Sequence, residues 1–139
     1  MKPIDILKAA GVGILVLVLD LAIATAWIFA YSLFIDPGHD QAYYTAMAPD
    51  LAGWSTRIAG PILLGLLVFL FSRRRPDRNA FLFALAVWAA YFIADGAMVL
   101  FRNFFTTEVM LTMALKLAGA LIGAALARIG LRHNNPRVG

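Results

Sequence analysis

This chain predicts an all-α integral membrane protein, a four-helix transmembrane bundle built as two helical hairpins. Three observations carry that prediction. The 139 residues are 62% hydrophobic and 14% charged, against roughly 45–50% and about 25% in soluble domains. The apolar residues gather in four blocks, each at or above the ~18 residues that mark a membrane helix. The charges collect mainly between the blocks and at their ends. A water-soluble fold of this size cannot hide so much apolar surface.

The first helix is predicted over 9–35. It exceeds the ~20 residues that cross ~30 Å of hydrocarbon, so it tilts or projects. Asp36-Pro37-Gly38 ends it, because proline and glycine both interrupt helices. The stretch 36–53 then reads as an outer loop. A second helix covers 54–72, with Gly60-Pro61 as a candidate kink. Pro76 marks the next turn. The third helix covers 79–101, capped by Asn79. The fourth covers 109–131, with Thr107 as its cap candidate and Glu108 favourable to its dipole. All of 1–139 is one transmembrane domain.

Positive charge orients the spans. Lys2, Lys8, Arg73, Arg74, Arg75, Arg78, Arg128, Arg132 and Arg137 fall on one side, Arg57 and Arg102 on the other. Both termini and the Arg73–Arg78 turn are therefore expected in the cytoplasm, which in a bacterial cell means the inner membrane. Ala24-Thr25-Ala26 has the form of a signal-peptide cleavage site, but the apolar run continues to Ile35 and Asp20 interrupts it, so an uncleaved helix is the better reading. The net charge of +4 reflects these flanking cations and not a nucleic-acid partner. There is no cysteine, hence no disulfide or thiolate chemistry. No histidine lies inside an apolar span, so a haem held by two membrane histidines is excluded. No Walker loop, dinucleotide fingerprint, GxSxG or HExxH is present. No catalytic residue, cofactor or metal is assigned. Asp36, His39 and Asp40 are close enough to suggest a cation site, but their spacing reads better as a solvated turn.

Asp95 and Lys116 are the charges that stand out. Asp95 lies 7 residues before Arg102, and Lys116 lies 8 after Glu108. On consecutive helices that places them at matching depth, as an interhelical ion pair. Intramembrane charges cost at least ~2.5–3.5 kcal/mol each on insertion scales, so they mark function or register. Asp20 is some 15 residues from the outer end of its helix, roughly 22 Å down, against about 10 Å for Asp95. It is expected too deep to share Lys116, and without a basic partner it reads as a neutral, hydrogen-bonded carboxyl or a proton carrier.

Helical phase groups the other candidates. Trp88, Tyr91, Asp95 and Arg102 share one stripe, Asp20, Trp27 and Tyr31 another, and Thr112 and Lys116 a third. With Arg57 these describe a polar, aromatic interior in the outer half of the bundle, a candidate ligand-binding or ion-coupling site. Trp54, Tyr43 and Tyr44 read as interfacial belt residues. Gly119, Gly123 and Ala127 recur every four residues, a pattern that permits close helix approach. It serves packing within the bundle, or contact with a second copy or partner membrane protein. Membrane lipid is the other expected partner.

The leading expectation is a small inner-membrane protein that binds or transports a small polar or anionic ligand, with a homo-oligomer to widen a cramped pathway. The alternative is a non-catalytic accessory or assembly subunit of a larger membrane complex. A lipid-modifying enzyme using Asp95 and His39 is the weakest of the three, because no catalytic signature accompanies them.

Overall fold

The computed structural model describes residues 2–101 and 106–133. It is all-helical: α1 (Pro3–Ala30), a π-helical turn (Tyr31–Ile35), α2 (Gln41–Arg73), α3 (Ala80–Phe101) and α4 (Thr107–His133). All four helices are long and apolar enough to cross a membrane.

The helix starts follow local chemistry. Pro3 opens α1, where its missing N–H costs nothing. Asp5 turns back to accept from the Lys2 backbone N–H at 3.0 Å. Asp40 Oδ1 accepts from the Tyr43 N–H at 2.9 Å and starts α2. Asn79 Oδ1 accepts from the N–H groups of Phe81 and Leu82 and starts α3. The α4 cap is Thr106 and not Thr107: its Oγ1 accepts from the Val109 N–H at 3.4 Å.

One boundary departs widely from the sequence reading. Most of the expected 36–53 loop is helix, since α2 begins at Gln41 and runs through both Pro49 and Pro61. The connection shrinks to a tight turn around Gly38, whose φ of +99° suits glycine. Tyr43 donates to Asp36 Oδ2 at 2.8 Å, Tyr44 donates to the Asp36 carbonyl at 2.6 Å, and His39 Nε2 lies 3.1 Å from Asp36 Oδ1. With Asp36 and Asp40 committed to these bonds, the turn accounts for the residues that suggested a cation site.

The Tyr43 hydroxyl, and then His39, hold Asp36 below the usual carboxylate value. A carboxylate with a depressed folded-state pKa contributes order that is present above its ordinary value and lost as pH falls through the lowered one. The Asp36 carboxyl carbon shift is therefore expected to titrate below the ordinary 3.8. Tyr43→Phe should move that midpoint upward; an unmoved midpoint would mean that the hydroxyl does not hold the turn.

The first hairpin is longer than the second. The helical run to Ile35 and α2 each span 33 residues, against 22 for α3. α2 and α4 share the most extensive contact. A methyl group on Gly123 would run into the Gly65 carbonyl, and one on Gly119 into the Pro61 carbonyl. Ala127 is fully buried. The small-residue face is thus used inside the chain, against α2. At the arginine-rich end, Arg78 reaches Asp5 at 3.6 Å, donates to the Phe71 carbonyl at 2.7 Å and lies over the Phe83 ring. This joins the start of α1 to the α2–α3 turn. Between the ends, Val16, Leu64, Val68, Phe83 and Val87 fill the core with no exposed surface.

Candidate functional site

Lys116 decides the site. Its side chain is 0% exposed, in an interior that is mostly apolar. Its ammonium donates to Asp20 Oδ2 at 2.9 Å and to the Tyr91 hydroxyl. Tyr91 in turn donates to the same Asp20 oxygen at 3.1 Å. Asp20 and Tyr91 are 2% and 1% exposed. The result is a closed triangle of ammonium, carboxylate and phenol, drawn from α4, α1 and α3. The ammonium also lies 4.3 Å from the Tyr91 ring centre, a cation–π contact.

The remaining helix, α2, contributes space. A methyl group on Gly60 would overlap Lys116 Cε, so glycine is what lets the lysine stem cross α2. Each helix therefore supplies one element of the site. Asp20 Oδ1 is buried without a hydrogen-bond partner.

This corrects the expected pairing. Lys116 pairs with Asp20 and makes no ion pair with Asp95. The reason is geometric. Depth was counted from each helix's own end, as if the hairpins were level. Asp20 lies 15 residues before Ile35 and Lys116 9 after Thr107. The overhang of the first hairpin, about six residues or roughly 9 Å, absorbs the difference. Asp95 is half-buried and lies one helical turn from Tyr91.

The other candidates separate into distinct places. Trp27 and Tyr31 line a cavity of about 370 Å³ between α1 and α2, with Ile23, Ile35, Leu51, Trp54, Ser55, Ile58 and Ala59. That volume falls in the ~300–1,000 Å³ range of ligand pockets. Its wall is almost wholly apolar and opens on the outer face of the bundle, where Trp27, Ile35, Trp54 and Ile58 are exposed; in sequence, Ile23 lies three residues from Asp20 and Ala59 next to Gly60. Trp88 donates its indole N–H to the Met113 carbonyl at 3.1 Å and stacks on Phe92, which ties α3 to α4. Arg57 pairs with Glu108 at 3.2 Å on the partly exposed rim of α2 and α4. Thr112 donates to the Glu108 carbonyl of its own helix at 2.9 Å. Arg102 lies outside the described residues. His39 pairs with Asp36 and not with Asp95.

Comparison with family models, curated proteins and solved structures finds no match. The functional argument therefore rests on the geometry. Sequence reasoning missed Gly60 as a site residue and Leu51, Trp54 and Ser55 as cavity lining. Gly60-Pro61 was the available signal, because a small residue beside a proline permits close approach as well as a kink.

Proposed function

We propose that the chain is a small multi-pass protein of the inner membrane, with both termini cytoplasmic, that binds and transports a small polar ligand through the outer half of its bundle. The observation that carries this reading is the buried Asp20–Tyr91–Lys116 triangle, in a bundle that also holds a cavity lined in part by Trp27, Tyr31 and Trp54. Charges held within an apolar bundle are costly and mark ligand or ion pathways. The asymmetry of basic residues supports the orientation. Lys116 with Arg57 or Arg102 reads in the sequence as a contact for an anionic or polar group. Two carboxylates, Asp20 and Asp95, around one ammonium favour a neutral or cationic polar group instead. The single bundle is narrow, so transport calls for more than one copy.

The test uses purified protein in nanodiscs and a spin-labelled alkylamine, whose nitroxide quenches indole fluorescence. Saturable quenching of Trp27 and Trp54 is expected, and Ala59→Phe should abolish the saturable part by filling the cavity. Linear quenching that is the same in both proteins is simple partition into lipid and contradicts the reading.

A second reading follows from the closure of the triangle. One contribution from each helix makes it a clamp that fixes helix register, as an accessory or assembly subunit would need. A partner would then dock elsewhere than on Gly119, Gly123 and Ala127, which face α2. In that case Asp20→Asn lowers stability and leaves alkylamine binding untouched.

A further inference from the structure

We propose that Asp95 carries one exchangeable proton and is the coupling carboxyl of the site, set beside the closed Asp20–Lys116 pair. The proposal deepens the transport reading and rests on it for the lipid setting of the bundle. Its argument begins with a charge count. α1 brings Asp20 to the network, α3 brings Tyr91 and Asp95, and α4 brings Lys116. α2 brings no charge, since Gly60 is its contribution and Arg57 is engaged by Glu108. Among the described residues, with every group ionised except the phenol, the cluster brings two carboxylates and one ammonium, a net charge of −1. One bound proton makes it neutral, which an apolar surround favours.

Geometry assigns the proton to Asp95. Asp20 has the ammonium on one oxygen at 2.9 Å and the Tyr91 hydroxyl on the same oxygen at 3.1 Å. Its charge already has a counter-ion on that oxygen, while Oδ1 makes no hydrogen bond. Asp95 makes no hydrogen bond or ion pair among the described residues and is half-buried, so of the two carboxyls it is the one with exposed surface and without a partner. The Tyr91–Asp95 spacing of four residues puts them on one face of α3. Release is balanced simply: the proton leaves the Asp95 carboxyl oxygen for water, and the carboxylate it leaves behind competes for the ammonium through the third Nζ hydrogen. Losing the proton thereby pulls on Lys116, which touches all three other helices. A proton at this one position is in mechanical contact with the whole bundle.

The experiment is a pH series of infrared difference spectra on the full chain in lipid, read at the carboxylic-acid carbonyl stretch. The wild type should show an acid band that disappears as pH rises. Asp95→Asn, nearly the same size, should remove the band while helix content by circular dichroism is kept. Asp20→Asn should make the band vanish at lower pH than in the wild type, because Lys116 is then free to pair with Asp95. Should Asp95→Asn unfold, the Asp20→Asn shift remains as the deciding measurement. A wild type with no acid band, a band that survives Asp95→Asn, or an unshifted band in Asp20→Asn overturns the proposal. None of these outcomes depends on alkylamine binding, so the proton site and the ligand site stand or fall separately.

Discussion

Lys116→Met is expected to destabilise the bundle by about 3–5 kcal/mol, the cost of leaving one partner of a buried ion pair behind. Asp20 would keep the Tyr91 hydroxyl but lose the one cation that pairs with it among the described residues, in a place with 2% exposure. Methionine is close to lysine in volume, so the loss is one of charge and not of packing. The pair need not be stabilising against an apolar replacement, since desolvation offsets much of the attraction. The double variant Asp20→Asn with Lys116→Met should therefore recover a large part of the loss. Reversible unfolding in bicelles measures both, and the cycle should be strongly non-additive. Additive losses would show that the two side chains do not interact.

The second large effect is at the α2–α4 seam. Gly123→Leu places a side chain where the Gly65 carbonyl already sits, and Gly119→Leu does the same against Pro61. The obstacle is backbone, which cannot move aside as a flexible side chain does. The cost should reach or exceed the ~1–3 kcal/mol typical of overpacking. Gly130→Leu is the matched control. Nothing lies within 4 Å of that position, so it should stay within about 0.5 kcal/mol of wild type. Unfolding measurements with light scattering separate two meanings of this face. Loss of stability at unchanged mass fits packing inside the chain. Loss of an oligomer at unchanged bundle stability would instead make it an interface between copies.

The helices were readable because blocks of apolar residues have a length that few other structures explain. Their ends were less so. Asp36-Pro37-Gly38 reads as the start of a loop over 36–53, yet Asp40 supplies a cap and α2 starts at Gln41. That unexpected length had a consequence for the site. Asp20, Tyr91 and Lys116 were each visible as polar residues in apolar runs, but which of them meet depends on how far one hairpin overhangs the other. No local pattern encodes that offset. Gly60 illustrates the same limit: a glycine next to proline is visible, while the lysine that crosses it lies 56 positions away. Arg78 reads in the sequence as one of the flanking cations, and only the tertiary fold makes Asp5 its partner.

The central claim is that Lys116 belongs to Asp20. Solid-state NMR of the protein in lipid, with nitrogen-labelled lysine and carboxyl-labelled aspartate, tests it through the dipolar coupling between the two labels. In mildly acidic buffer the account predicts that the Lys116 ammonium is dephased by a carboxyl carbon, that Asp20→Asn removes this dephasing, and that Asp95→Asn preserves it. Dephasing that survives Asp20→Asn and vanishes with Asp95→Asn would contradict the account and restore the pairing of Lys116 with Asp95.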